Sequence, residues 1–268
     1  MTRLSCRRAI ELKATLQETR AQVHTPSDVD YAERSRCLEL GEVESRQGAI
    51  VQVTTTDEVS RVLSYASKHH IPIIVHGGAF ATSSSSGEEG GIVISLARMS
   101  KVVVDPASRT LAAQGGARWE ELVGVAGASG LTVIPAPGHG STADAGLGAG
   151  TGWLTSCPGS IVDNLVSVKI VLADGNIVTT SSTEKPDLFW ALHHAGGVFG
   201  LATELVFRVY PQGRQEGSTK SSEADGGPKD GVEDSGQDDL PRLQKLKRQY
   251  DPYGLFGSLD SASLDTRK

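Results

Sequence analysis

The amino-acid sequence predicts an α+β fold in which mixed and antiparallel sheets are flanked by helices. Three observations lead there. Short runs rich in Val and Ile recur from Ala49 onward, and segments with apolar residues at helical spacing separate some of them but not others. One stretch carries a strand–helix–strand pattern and another a hairpin signal, so parallel and antiparallel pairing are both expected. Glycine is abundant, with 31 copies, and many stand beside a strand or a short helix.

Residues 1–45 read as an N-terminal helical extension. AIVQVT, from Ala49, is the first core strand. Thr56 is placed to cap the next helix, and Val59, Val62, Leu63 and Ala66 give it one apolar face. IPIIV closes the strand–helix–strand unit. GIVISL, KVVVD and RTLAAQ are three further short strands, since β-branched residues fit a pleated surface. RWEELVGVAGAS reads as a helix. In LVSVKIVLADGNIVTT two alternating apolar runs flank Asp174-Gly175, a pair that suits a tight primed turn. DLFWALHH is a short helix and LATELVFRVY the final strand. From Gln212 to Asp239 the only apolar residues besides Gly and Pro are Ala224 and Val232, too few to build a core. LPRLQKLKRQYDPYGLF then restores a helix, with Leu240, Leu243, Leu246 and Tyr250 on one stripe. Arg242, Lys245, Lys247 and Arg248, opposite or beside that stripe, read as the solvated face of a docked helix, with a binding patch as the alternative.

A chain of 268 residues with 38% hydrophobic and 22% charged residues can bury a substantial core. Its net charge of −6 argues against a nucleic-acid partner. The segment 212–239 holds eight acidic and three basic residues and so supplies five of those six charges, leaving the rest of the chain near neutral. The three cysteines, Cys6, Cys37 and Cys157, have neither disulfide-framework nor metal-ligand spacing, and no metal is expected. The N-terminus has no apolar run of signal-peptide length and no run is long enough to span a membrane, so a cytoplasmic protein is expected.

The glycines gather in four places: Gly77-Gly78, Gly115-Gly116, the run from Pro137 to Trp153, and Ala195 to Gly200. Backbone N–H groups solvate a diphosphate only where the chain can approach closely and turn through conformations that Cβ disfavours, and glycine permits both. Any one cluster could be ordinary turn glycine. GxxxxGK[ST] is absent, and AGGVFG leads into a strand rather than opening a helix, so neither a P-loop nor a nicotinamide-binding fingerprint fits.

From Arg46 to Gly213 the order of motifs resembles the flavin-binding domain of the vanillyl-alcohol oxidase and berberine-bridge-enzyme superfamily of FAD-linked oxidoreductases. IVQVTTTDEVSRVLSYASKHHIPIIVHGG is similar to the opening unit of that domain, and GGIVISLARMSKVVVDPASRTLAAQGGARWEEL to the strands and helix that follow. The most specific stretch runs from GTGWLTSC to FRVYP, with Asp163-Asn164, Ala173-Asp174-Gly175, Asp187-Leu188-Phe189-Trp190 and Phe199-Gly200 in place. RLQKLKRQYDPYGLF resembles the final helix and its Asp-Pro turn. The resemblance implies a two-subdomain PCMH-type FAD-binding fold over 46–213, a polar acidic linker over 214–239 where relatives carry a substrate-binding domain, and a C-terminal helix and tail over 240–268.

It also implies cofactor-binding positions. The loop matching His76, Gly77, Gly78, Ala79, Phe80, Ala81, Thr82 and Ser83 would hold the FAD diphosphate. Gly138, His139, Gly148, Gly150 and Gly152 would face the isoalloxazine ring, and Gly200-Leu201 would lie along the adenosine. Asp163 and Asn164 would either touch the cofactor or cap the adjoining turn. Trp153 and Trp190 read as core aromatics rather than flavin stackers. Many relatives link FAD through a histidine where this chain has Phe80, whose ring has no nucleophilic nitrogen, and some through a cysteine where it has His139. FAD is therefore expected to be noncovalent, with His139 contacting flavin or solvent, or forming a single bond. Asp144, in a run where relatives favour glycine, would repel the cofactor unless paired or turned to water. The implied activity is two-electron oxidation of a small organic substrate with O₂ reoxidising the flavin, in secondary metabolism. No catalytic base can be named, because the usual candidates lie on the substrate domain; a flavoprotein without catalysis, acting as scaffold, partner subunit or remnant, is the alternative.

Overall fold

The computed structural model describes residues 3–37, 48–77, 81–82, 90–134, 161–212, 239–257 and 259. Two five-stranded sheets and a two-stranded ribbon organise them. The first half comprises α1 (Cys6–Thr15), β1 (Gln22–His24), α2 (Tyr31–Cys37), β2 (Ala49–Gln52), α3 (Thr56–His69), β3 (Ile73–His76), β4 (Ala81–Thr82) and β5 (Ile92–Ser95). Strands β2, β5 and β3 run parallel with β5 in the middle, and antiparallel β1 and β4 flank them. Every residue of β2 and β5 is buried, the pattern of strands covered on both faces. On one face Val51, Ile73 and Ile94 pack with Val59, Val62 and Leu63 of α3 and Leu12 of α1. The other face brings Ile50, Ile74 and Val93 against Tyr31 of α2.

Helix α3 starts one residue earlier than Thr56 as cap would require. Thr55 is the N-cap, because Glu58 three residues on completes a capping box with it. The buried Glu58 carboxylate also accepts from Arg20 N (2.8 Å), Thr54 N (2.5 Å) and Thr54 Oγ1 (3.0 Å), which seats the N-terminal segment on the sheet. That segment, read as helical, also contributes β1 as an edge strand.

The second half comprises β6 (Val102–Asp105), β7 (Thr110–Gln114), α4 (Trp119–Ala128), β8 (Leu131–Thr132), β9 (Leu165–Val171), β10 (Ile177–Ser181), α5 (Pro186–Ala195), β11 (Leu201–Arg208), β12 (Tyr210–Pro211) and α6 (Leu240–Tyr250). Its sheet is antiparallel throughout, in the order β10-β9-β11-β7-β6. LATELVFRVY divides at Val209, after which β12 leaves the sheet and pairs with β8. Leu111, Val168, Leu205 and Phe207 bury one face of this sheet against Leu122 of α4 and Leu188 and Leu192 of α5. Val171, Ala173 and Leu201 join the first core instead, so the two cores meet along α3.

Gly175 makes that meeting possible. Gly175 N donates to Leu172 O at 2.9 Å, and Gly175, not Asp174, takes a positive φ, of +87°. The connection is thus a three-residue loop with a glycine bulge rather than a two-residue primed turn. Ser60 Oγ donates to Gly175 O at 2.5 Å and Ser64 Oγ to Asp174 O at 3.3 Å, so the turn is shaped by α3 as well as by its own residues. A Cβ on Gly175 would lie 1.8 Å from Ser64 Oγ.

The C-terminal segment binds both cores. Leu243 and Leu246 of α6 enter the second, and Leu255 and Phe256 beyond it enter the first. Asp251 sits at the corner, its buried carboxylate accepting from Leu255 N (2.8 Å), Phe256 N (2.9 Å) and Lys247 Nζ (2.6 Å). Lys247, read as part of a solvated basic face, is buried and also donates to Val198 O at 2.5 Å. Burial pushes its ammonium below the usual lysine value, and the Asp251 hydrogen bond pulls it back.

Candidate functional site

The three parallel strands end together. In register, Gln52 of β2 and His76 of β3 flank Ser95 of β5, and all three are buried. Side chains alternate along a strand, so this row continues the face that carries Ile50, Val93 and Ile74 two residues earlier. The face changes from apolar to polar at its C-terminal edge. The C-terminal edge of parallel strands is where open sheets present ligands. Gly77, also buried, follows at once.

The structure gives the glycine-rich stretch a definite start and a short return. His76, read as the first residue of the loop, is the last of β3, and it pairs with Ala81 while Val75 pairs with Thr82. Ala81 and Thr82 are thus strand residues, and the loop between the paired strands is 77–80. Gly78, Ala79, Phe80 and Ser83 lie outside the described residues, as do Gly138, His139, Asp144, Gly148, Gly150, Gly152 and Trp153.

Asp163 and Asn164 part company. Both lie in the 3-10 turn Val162–Asn164, but Asn164 is buried and its Oδ1 accepts from Tyr210 Oη. Asp163 instead lines a groove of about 410 Å³ with Phe189, Trp190, His193 and His194. His193 Nδ1 is 2.7 Å from Phe189 O and His194 Nδ1 2.8 Å from Trp190 O, which marks Nδ1 as the protonated nitrogen in each. Trp190 is half-buried under the Arg242 guanidinium, 3.7 Å from its ring centroid. Asn164 and Asp163 therefore serve different surroundings although they are neighbours in sequence.

Gly200 and Leu201 lie at the start of β11. Leu201 is buried in the first core. Gly200 has extended backbone, and a Cβ there would lie 2.7 Å from Val171 O, so the missing side chain makes room for β9. Sequence reading did not single out Gln52 or Ser95; strand register is what brings them beside His76. Among the described residues no group of three or more His, Cys, Asp or Glu is placed to hold a metal ion, and no helix is long and apolar enough to cross a membrane.

The chain is 36% identical over 165 residues to the FAD-linked oxidoreductase pgmH of Aspergillus terreus, covering 61% of this chain and 34% of that one. It resembles the structure of BBE-like 1 from Physcomitrella patens with a TM-score of 0.65 and 25% identity, covering 74% of this chain and 44% of that one. It resembles glucooligosaccharide oxidase from Acremonium strictum, described with a 6-S-cysteinyl, 8α-N1-histidyl FAD, with a TM-score of 0.63 and 27% identity, covering 74% and 42%. The chain thus spans less than half the length of each of these relatives. A family model described as FAD binding domain matches residues 48–181, which include all three parallel strands and the β9–β10 hairpin. The chain belongs to this FAD-binding-domain family, within the FAD-linked oxidoreductases of the vanillyl-alcohol oxidase and berberine-bridge-enzyme type.

Proposed function

We propose that the chain is the flavin-holding unit of an FAD-dependent oxidase acting on a small organic molecule in secondary metabolism. The observation that carries this reading is the buried polar row Gln52–Ser95–His76 at the edge of the parallel strands, within the matched 48–181. Bound FAD would supply a two-electron acceptor for a hydride from the substrate, with O₂ as the terminal oxidant. Backbone N–H groups of Gly77, Gly78, Ala79 and Phe80 bind its diphosphate, with Thr82 and Ser83 assisting. Glycine and alanine there let the main chain approach the phosphate oxygens. Phe80 offers no nucleophilic nitrogen, so FAD is held noncovalently. Residues 46–213 form the cofactor unit, 214–239 connect it and 240–268 complete it.

Purified protein should be yellow and release its flavin to the supernatant on acid precipitation. Colourless protein that takes up no added FAD would sink the reading, and flavin that stays with the precipitate would sink the noncovalent part. One observation favours a second reading: with two apolar residues besides Gly and Pro, 212–239 cannot build the cover that fixes a substrate over the ring. A chain that binds FAD without catalysis, serving as a partner or scaffold, would bind FAD while no candidate alcohol or oligosaccharide bleaches its absorbance.

A further inference from the structure

Gly115-Gly116 is one of the four glycine clusters, and the structure gives it a task that no phosphate enters. A Cβ on Gly116 would lie 1.9 Å from Leu96 O and 3.1 Å from Met99 O, so backbone of the second sheet touches backbone of the first here. Gly116 N donates to Met99 O at 3.0 Å. On its other side Gly115 N donates to Thr203 O, also at 3.0 Å. Thr203 is the extra residue of a β-bulge: β11 steps from Ala202 to Glu204 while β9 steps from Ile170 to Lys169. Its buried hydroxyl accepts from Thr56 Oγ1 of α3 at 3.0 Å and donates to Lys169 O at 3.3 Å.

These contacts form one continuous path. Leu96 N donates to His76 O at 2.9 Å, at the end of the polar row. From Leu96 the path crosses to Gly116, passes through Gly115 to Thr203, and reaches Leu201 and Gly200 two and three residues back along β11. It joins the proposed diphosphate end of the site to the proposed adenosine end by main-chain contact alone. Main chain in close contact does not yield as a flexible side chain does.

We propose that Gly115, Gly116 and Thr203 are the joint that sets the spacing of the two sheets, and that they act as positioning residues for FAD. The cofactor clause rests on the flavin reading above. A dinucleotide contacting both sheets binds tightly only when its two half-sites are held at one separation, so a displaced joint weakens binding without removing any contact residue.

The test uses the full chain, with amide hydrogen exchange in the absence of FAD and an FAD titration followed by flavin fluorescence. Gly116→Ala should raise exchange in peptides covering 92–99 and 201–208 together and weaken FAD binding by about tenfold or more. Thr203→Val, which keeps the branched shape and removes the hydroxyl, should shift both readouts in the same direction by a smaller factor and guards against a Gly116 variant that does not fold. Thr203→Ser should restore both to within about twofold of the parent. Exchange that rises on one sheet only, or affinity that is unchanged while both sheets loosen, overturns the joint. So does a Thr203→Ser variant as impaired as Thr203→Val. If the parent chain takes up no FAD, the cofactor clause falls with the flavin reading, and unlinked exchange of the two peptides is then the separate result that overturns the joint itself.

Discussion

The two sheets handle polar groups in opposite ways. In the first, parallel strands finish at one edge and leave Gln52, Ser95 and His76 in a row there. In the second, antiparallel strands return on themselves, and buried hydroxyls are spent inside the architecture: Thr180 Oγ1 donates to Lys185 O at 2.9 Å, and Thr203 bridges β9 and α3. Parallel pairing needs long crossovers and concentrates loop starts at one edge, whereas hairpins spread turns over both. The first sheet thus gathers polar side chains at one edge, and the second uses its buried hydroxyls to join its own elements.

The largest effect should come from the residue both halves share. Asp251→Ala would leave Lys247 buried without its carboxylate and free the N–H groups of Leu255 and Phe256. A loss of about 3–5 kcal/mol in denaturant unfolding is expected. A loss below about 1 kcal/mol would show that neither half depends on this corner. Gly175→Ala tests the seam between the halves. With φ at +87° and Ser64 Oγ 1.8 Å from the new Cβ, it should cost about 1–3 kcal/mol, and Gly175→Ala with Ser64→Ala should recover part of it. No recovery would mean that backbone strain alone, not the contact with α3, sets the cost.

The smallest effect should be confined to the first half. The hydrogen bond from Lys13 Nζ, followed by those from Thr25, holds the Asp28 carboxyl at about 2 against an ordinary 3.8. Lys13 Nζ, on α1, lies 2.7 Å from Asp28 Oδ2, and Thr25 N, just after β1, lies 2.7 Å from the same oxygen. A carboxyl whose folded value is depressed stabilises the fold above its unfolded value, and that contribution fades as pH falls from about 4 towards 2. The pair is partly exposed, so the amount is at most about 1 kcal/mol. Asp28→Asn should flatten this acid-dependent part of the melting temperature, lowering the midpoint slightly near pH 7 and leaving it little changed below about pH 2. An unchanged acid slope would place the titration elsewhere.

Much of this was legible in the sequence because it is local. Val59, Val62 and Leu63 at helical spacing do face the core, and IPIIV, GIVISL and RTLAAQ are strands. What was not legible depends on partners distant along the chain. Gln22–His24 is too short to show a pattern and is a strand only because β2 pairs with it. Gly115-Gly116 has the composition of a phosphate loop, and its steric task is defined by Leu96, which no local rule connects to it. Lys247 reads as a surface cation until Asp251, one helical turn on, is seen to be buried beside it. For the site, the stretch after β3 was visible through its glycines, while Ser95 needed the register of three strands to become visible.

The placement of Leu255 and Phe256 in one core and Leu243 and Leu246 in the other bears on how far the connector before them could vary. The chain leaves the second half at β12 and comes back at α6, where Leu243 and Leu246 anchor it in one core and Leu255 and Phe256 in the other. With both flanks pinned, lengthening the connector costs little: each doubling of a flexible loop adds only about 0.6 kcal/mol of closure entropy. The fold is a socket at this point, indifferent to the size of what is plugged into it. A longer connector could therefore be carried between the same two anchors without changing either half.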